Sequence, residues 1–119
     1  MGYEIDMNTY GGIVQKGTKR AADLGYRTIN IPLNDRTVSG IYVAKVKVGD
    51  EEYEAAAYAD RKRKVLEAHL LDFSADLYGW NVTIELLKKI RGHKKFTDGG
   101  DLRRAITDDV AAVRAYFRK

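Results

Sequence analysis

Residues 40–58 read Gly-Ile-Tyr-Val-Ala-Lys-Val-Lys-Val-Gly-Asp-Glu-Glu-Tyr-Glu-Ala-Ala-Ala-Tyr, and this stretch decides the fold class. Successive side chains of a β-strand point to opposite faces of the sheet. Tyr42, Ala44, Val46 and Val48 therefore share one face, while Lys45 and Lys47 share the other. Gly49-Asp50 is a typical tight-turn pair, and a second strand-like run follows it. The stretch is predicted to be a β-hairpin with one apolar face.

The same alternation continues on both sides of this hairpin and changes only near the C-terminus. The six predicted strands are Gly11–Gln15, Arg27–Ile31, Gly40–Gly49, Glu52–Tyr58, Val65–Leu71 and Asn81–Ile90. The later apolar residues have helical spacing, and they are Leu102, Ile106, Val110, Val113 and Phe117. Asp98 or Asp101 is expected to cap this helix. Many short strands with short connections favour a closed barrel. We therefore predict a mainly β fold, a six-stranded antiparallel (Greek-key) barrel with a C-terminal α-helix packed against it.

Length and composition are those of a single domain over residues 1–119. The chain contains no cysteine, which excludes disulfides and thiolate metal sites. It has neither a signal-peptide core nor an apolar run of the roughly 20 residues that would span a bilayer. The net charge of +4 suits an anionic partner such as a nucleotide, but it is too small to indicate nucleic acid. A cytoplasmic monomer without a membrane partner is expected.

The most specific motif covers residues 66–79, Leu-Glu-Ala-His-Leu-Leu-Asp-Phe-Ser-Ala-Asp-Leu-Tyr-Gly. In a strand, Glu67, His69 and Leu71 share one face. A carboxylate on an otherwise apolar strand is costly unless it has a partner or a chemical task. Glu67 is therefore a candidate functional residue. His69 has no further metal ligands at a suitable spacing, so a hydrogen-bonded strand histidine is the better interpretation.

A second candidate site lies between residues 12 and 31. There a strand leads into a basic loop bounded by glycines, and the chain then returns with Thr28 and Asn30 on one face. Glycines let backbone N–H groups approach phosphate oxygens closely. A hydroxyl and an amide oxygen are hard ligands suited to Mg²⁺ that also holds phosphates. On the residues alone, however, such a loop is more often a solvated turn.

The motif at residues 67–79 resembles that of the riboflavin kinase family, which makes FMN from riboflavin and ATP. The resemblance covers residues 11–117, and other positions that match the family are Gly12, Val14, Gly17, Leu24, Gly25, Thr28, Asn30, Arg91 and Phe96. The chain departs from the family pattern at Ala21-Ala22, Arg27, Ile29, Trp80 and His93. It also departs at Asp60–Lys64, where the family has a Pro-Thr-Phe-like loop.

The resemblance implies a kinase that uses ATP as co-substrate and Mg²⁺ as cofactor, with riboflavin as the acceptor. It implies Glu67 as the catalytic base, and Thr28 and Asn30 as the residues that hold Mg²⁺. The implied nucleotide-binding residues are Gly17, Lys19, Arg20, Gly25, Arg27, Thr28 and Asn30. The implied flavin-binding residues are Trp80, Arg91 and Phe96, although Trp80 could instead be a core anchor. Lys19, Arg20 or Arg27 is expected to replace the cation missing at Ala21-Ala22.

Two other function classes remain open. A flavin- or nucleotide-binding module of the same fold, which transfers nothing, would fit the altered loop. A small basic barrel could bind nucleic acid through Arg61–Lys64, but no aromatic residues are interleaved there. Four basic residues at a hairpin tip are most often a solubilising turn, and attraction of phosphate or substrate is the next interpretation, ahead of nucleic acid. The presence of Glu67, Thr28 and Asn30 together favours the enzyme.

Overall fold

The computed structural model describes residues 2–6, 8–16, 22 and 25–118, with the backbone alone for residues 3–6. Its strands are β1 (Tyr3–Asp6), β2 (Thr9–Ile13), β3 (Ile29–Pro32), β4 (Gly40–Val48), β5 (Glu51–Asp60), β6 (Val65–Leu70) and β7 (Asn81–Arg91). A C-terminal helix, α1, covers Gly99–Phe117. No helix within these described residues combines the length and apolarity needed to cross a bilayer.

The strands form an antiparallel sheet that curls into a nearly closed barrel. Their order is β1-β2-β7-β4-β5-β6-β3. Strands β4, β5 and β6 are joined by two consecutive hairpins. Strand β3, which precedes them in the chain, pairs with β6, and this is the Greek-key arrangement. The backbone N–H of Gln15, just after β2, donates to the Asn30 carbonyl of β3 at 2.7 Å and brings the two edges together. The predicted six-stranded barrel with a C-terminal helix is confirmed.

Strand β1 is a seventh strand that the sequence pattern does not predict. It pairs with the free edge of β2 and has an irregular register between Glu4 and Asp6. Four residues with a register shift are too short for a test based on alternation. The missed strand extends the sheet without altering the six-stranded barrel.

The barrel interior is filled by the inward side chains of these strands. Ala44, Val46 and Val48 lie there, as the hairpin pattern predicts, and Leu66, Ala68 and Leu70 project inward from β6. Every second residue of β4 and β6 is thus withdrawn from water. The intervening residues face outward, so Glu67 and His69 stand on the outer wall of the barrel.

Helix α1 covers part of that outer wall. Its fully buried Val113 packs against Val43 and Leu71, and Val110 and Phe117 add to this second cluster. The Asp98 carboxylate caps the helix by accepting a hydrogen bond from the backbone N–H of Gly100 at 2.9 Å. The predicted helix, its cap and the C-terminal part of its apolar stripe are confirmed.

The predicted face of Ile90 is wrong. Simple alternation puts Ile90 on the same face as Val82, but it packs with Leu87 in the cluster under the helix. The β4–β7 pairing shifts register twice, between Val43 and Ala44 and between Ile41 and Tyr42. Each shift inserts one extra residue in β7 and reverses the phase of the residues that follow it.

Gly40 opens β4 where the end of β7 comes closest to it. Its φ is +99°, and an added Cβ would lie 2.5 Å from the Arg91 carbonyl oxygen. We expect Gly40→Ala to lower the free energy of unfolding by about 1–3 kcal/mol, because both the backbone conformation and the contact become strained. Urea unfolding should show a smaller loss for Gly49→Ala, whose glycine also has a positive φ but has open space around it. Equal losses would contradict the close contact at Gly40.

Candidate functional site

A single row of paired residues crosses five strands on the outer wall of the barrel. In strand order it runs from Asn30 through Glu67, Tyr58 and Ile41 to Arg91. Directly opposed residues of antiparallel strands project on the same face of the sheet. With the usual spacing between strands, the row measures roughly 19 Å along the wall. The sheet register therefore places four polar side chains along one line, with the apolar Ile41 between Tyr58 and Arg91.

A cavity of about 370 Å³ lies over this row, between the barrel wall, α1 and residues 92–96. The described residues that line it are Tyr26, Thr28, Ile41, Ala56, Ala57, Tyr58, Asp60, Arg63, Glu67, His69, Arg91, His93, Lys94, Lys95, Phe96, Leu102, Ile106 and Asp109. Leu102 and Ile106 belong to the predicted apolar stripe of the helix. They face the cavity because only the C-terminal half of α1 packs directly on the barrel. The result is an apolar wall opposite a polar one.

The Glu67 carboxylate is held through both of its oxygens. The Thr28 hydroxyl donates to Oε2 at 2.7 Å, and Nη2 of Arg63 lies 3.7 Å from Oε1. The Glu67 side chain is 12% exposed, so it can still reach the cavity. Of the two expectations for this carboxylate, a partner or a chemical task, the structure shows the partners. Such a fixed, partly accessible carboxylate can accept a proton from a bound hydroxyl group.

Asn30 lies directly opposite Glu67 in the β3–β6 pairing and is 3% exposed. Its side-chain oxygen, Oδ1, is buried and has no hydrogen-bond partner among the residues the structure describes. Buried polar atoms are nearly always paired, because leaving one unpaired costs free energy. This oxygen is therefore a candidate ligand atom beside Glu67, although Asn30 is not among the residues that line the cavity.

The residues at this end of the row fit a hard cation bound together with phosphates. The Thr28 hydroxyl gives its hydrogen to Glu67, which leaves its oxygen lone pairs available. Asn30 adds an unpaired oxygen. The described residues include no group of three or more His, Asp or Glu side chains that could hold a metal. Mg²⁺ typically uses one or two protein oxygens and takes the rest from phosphates and water.

The other end of the row is braced against the helix by Arg91. Its Nε and Nη2 donate to the two carboxylate oxygens of Asp109 at 3.0 and 2.8 Å. Asp109 is buried, so this two-point pair ties the end of β7 to α1. The Arg91 guanidinium also lies 5.8 Å from the centre of the Phe96 ring. Arg91 and Phe96 thus form one flat, partly apolar side of the cavity.

Tyr58, in the middle of the row, contacts the segment after β7. Its hydroxyl lies 2.6 Å from Nδ1 of His93, and the two rings are parallel. Burial, followed by the charge of Asp60, raises the pKa of Tyr58 to about 12. The phenol therefore stays protonated at neutral pH and can donate to the His93 ring.

His69 is a hydrogen-bonded strand histidine, as predicted. Its Nδ1 donates to the backbone carbonyl of Arg27 at 2.7 Å, and its ring meets Tyr26 edge to face. These contacts attach the segment before β3 to the outer face of β6. They also hold Thr28, the next residue along the chain, close to Glu67.

The structure brings together Glu67, Thr28, Arg91 and Phe96 in one cavity, with Asn30 beside Glu67 in the sheet. Three predicted nucleotide-binding residues, Gly17, Lys19 and Arg20, lie outside the described residues.

Three further predicted residues do not line this cavity. Gly25, with φ +95°, donates from its backbone N–H to the Ala22 carbonyl. The exposed Arg27 donates to the Ser74 carbonyl at 3.1 Å. Trp80 is 55% exposed at the turn before β7, where its carbonyl accepts from the Val14 N–H.

Sequence reasoning did not single out Tyr58 or Asp109, two polar residues of the cavity, and it considered Arg63 only as one of the four basic residues of a turn. Asp109 could have been noticed, because it lies three residues after Ile106 and four before Val113, within the apolar stripe of the helix. Tyr58 and Arg63 gave no such signal. Their roles depend on the β4–β5–β6 register and on the shape of a turn.

The comparisons with known proteins agree with this fold. The sequence matches the family model Flavokinase, described as riboflavin kinase, over residues 5–117. It is 33% identical over 117 residues to a trifunctional RibF/MnmA protein of Mycoplasmoides gallisepticum, covering 91% of this chain and 18% of that protein. It is 34% identical over 115 residues to a bifunctional riboflavin kinase/FMN adenylyltransferase of Haemophilus influenzae, covering 89% of this chain and 37% of that protein.

A solved structure of riboflavin kinase from Trypanosoma brucei superposes with a TM-score of 0.72 at 25% identity, covering 93% of this chain and 77% of that one. The chain spans only 18% and 37% of the lengths of the two curated relatives described above. The family match nevertheless extends over nearly all of its residues. By sequence and by fold, this chain belongs to the riboflavin kinase family.

Proposed function

We propose that this chain transfers the γ-phosphoryl group of ATP to the terminal ribityl hydroxyl of riboflavin, giving FMN and ADP. The observation that carries the proposal is the Glu67 carboxylate, held by Thr28 and Arg63 at the wall of a cavity large enough for a flat ring system. Phosphoryl transfer asks a protein mainly for alignment and charge neutralisation, together with a group that takes or orients the hydroxyl proton.

Glu67 is the proposed base. It accepts the proton of the ribityl hydroxyl as that oxygen forms its bond to the γ-phosphorus, and the bond from phosphorus to the ADP oxygen breaks. Its position on a β-strand, with hydrogen bonding from Thr28, fixes the direction in which it accepts the proton. Little of the side chain is exposed, which limits competition from water.

Thr28 and Asn30 are the proposed residues that hold Mg²⁺, which when bound neutralises phosphate charge. The unpaired Oδ1 of Asn30 and the free lone pairs of the Thr28 hydroxyl support this role. Proposed nucleotide contacts from Gly25 and Arg27 follow from the family resemblance, as do those from the loop before them.

The flavin ring is proposed to lie between the barrel wall and the first half of α1. Leu102 and Ile106 offer apolar contact on one side, and Phe96 with Arg91 closes another. A ring in this place would direct the ribityl chain along the row toward Glu67. Trp80 lies outside the cavity lining, so a flavin contact there would need a different part of the surface.

The assay that tests the proposal combines the protein with riboflavin, Mg²⁺ and ATP, and follows FMN by chromatography. FMN formation that requires Mg²⁺ and ATP is expected. A binding module of the same fold would quench riboflavin fluorescence without forming FMN. If riboflavin binds but no FMN forms, the chain would be a flavin-binding module rather than a kinase.

A further inference from the structure

We infer that Arg63, on the turn between β5 and β6, is a positioning residue that fixes the Glu67 carboxylate for proton transfer. The inference rests on the proposed function. It concerns the segment where this chain departs from its family, because residues 60–64 stand where a Pro-Thr-Phe-like loop was expected. The turn of only four residues, 61–64, brings a guanidinium back over the strand that carries Glu67.

The turn is organised by Asp60. One of its oxygens, Oδ1, accepts hydrogen bonds from the backbone N–H groups of Lys62 and Arg63, both at 3.1 Å. The other, Oδ2, accepts from Nε of Arg63 at 2.6 Å. Asp60 is buried, with 8% of its surface exposed. One carboxylate therefore shapes the turn and aims the arginine side chain.

The guanidinium joins two carboxylates. Its Nε is engaged by Asp60, while Nη2 lies 3.7 Å from Oε1 of Glu67. Burial raises the pKa of the Asp60 carboxyl, but the hydrogen bonds and the charge of Arg63, together with the Lys62 N–H, outweigh burial and leave the pKa below its usual value. Asp60 thus stays ionised and keeps Arg63 charged and in place. A planar fork suits this bridging better than the point charge of a lysine.

Thr28 and Arg63 hold different oxygens of the same carboxylate. Thr28 bonds Oε2 and comes from the segment before β3, whereas Arg63 is near Oε1 and comes from the β5–β6 turn. Two attachments from two chain segments restrict rotation of the Glu67 side chain. Misplacing a catalytic group by about 1 Å can cost up to about 100-fold in rate.

The other basic residues of the turn provide a matched control. All four basic residues of the turn are exposed, but Arg61, Lys62 and Lys64 do not line the cavity, although they carry the same charge as Arg63. If the turn acted through general attraction of anions, Arg61 and Arg63 would contribute alike. The geometry separates Arg63 from them.

The test compares Arg63→Gln with Arg61→Gln in the 119-residue chain, measuring FMN formation, riboflavin binding and Mg-ADP binding. For Arg63→Gln we expect kcat to fall about 10- to 100-fold, with both dissociation constants within about twofold of the parent. Arg61→Gln should match the parent throughout. Asp60→Asn should lower kcat in the parent but add little when Arg63 is already Gln, because the two act as one unit.

Rescue provides the second measurement. Added guanidinium ion should recover part of the rate of Arg63→Gln at concentrations that leave the parent and the Arg61→Gln variant unaffected. An unchanged kcat in folded Arg63→Gln, or equal losses in the two arginine variants, would overturn the inference. The proposed function would still stand, provided that the parent forms FMN. A loss confined to Mg-ADP affinity would also overturn it, since Arg63 would then bind phosphate directly. If the parent forms no FMN, the proposed function itself fails.

Discussion

Glu67→Gln is expected to lower kcat for FMN formation by about 10²–10⁴-fold, the usual contribution of a positioned acid–base group. Glutamine keeps the shape of the side chain and can still accept a hydrogen bond from Thr28, but it cannot take up the ribityl proton. Riboflavin binding, followed by fluorescence quenching, should be largely retained. The rate is measured by chromatography of FMN under saturating riboflavin and Mg-ATP.

The matched control for this experiment is Glu52→Gln, an exposed carboxylate on β5. It removes the same charge from the same barrel and should leave kcat unchanged. Near-normal turnover by Glu67→Gln would remove Glu67 from the mechanism. Equal losses in the two variants would show that overall charge, rather than position, matters.

Asn30→Leu is expected to weaken Mg²⁺-dependent ADP binding by about 10- to 100-fold, the scale seen when support of a bound metal is removed. The same change should leave the free energy of unfolding unchanged or raise it by up to about 1–3 kcal/mol, because a buried unpaired oxygen disappears. Opposite effects on binding and stability indicate a group kept for function rather than for packing.

Calorimetric titration with ADP, with and without Mg²⁺, measures the first effect, and urea unfolding measures the second. Binding of ADP without the metal should be the same for parent and variant. A variant that is less stable but binds Mg-ADP normally would show that Asn30 is a structural residue. The cation would then be held elsewhere.

Local pattern was enough to predict the barrel, because burial of one face imposes a period of two on each strand. It failed for Ile90, where two extra residues in β7 change the period, and for β1, which is too short to show one. Helix α1 and its Asp98 cap followed from spacing and a known capping preference. These features depend on neighbours in sequence.

The site was predictable only in part, because a local sequence pattern does not show which strands pair or where a turn places its side chains. Glu67, Thr28 and Asn30 were identified through motifs that resemble a family, and the sheet register explains why they lie together. The pairing of Tyr58 with Glu67 depends on the register of the β5–β6 hairpin, and the reach of Arg63 depends on the shape of its turn. Neither leaves a periodic trace in the sequence. Trp80 had a favourable motif position but is exposed and does not line the cavity.

The two register shifts in β7 limit how this protein can change in length during evolution. The first reverses the phase of the strand and the second restores it, so Arg91 again projects outward beside Ile41 and reaches Asp109. Loss or gain of one codon between Leu86 and Arg91 would turn the arginine toward the barrel interior. A change of two codons would keep its direction. Related sequences should therefore vary in this interval by even numbers of residues.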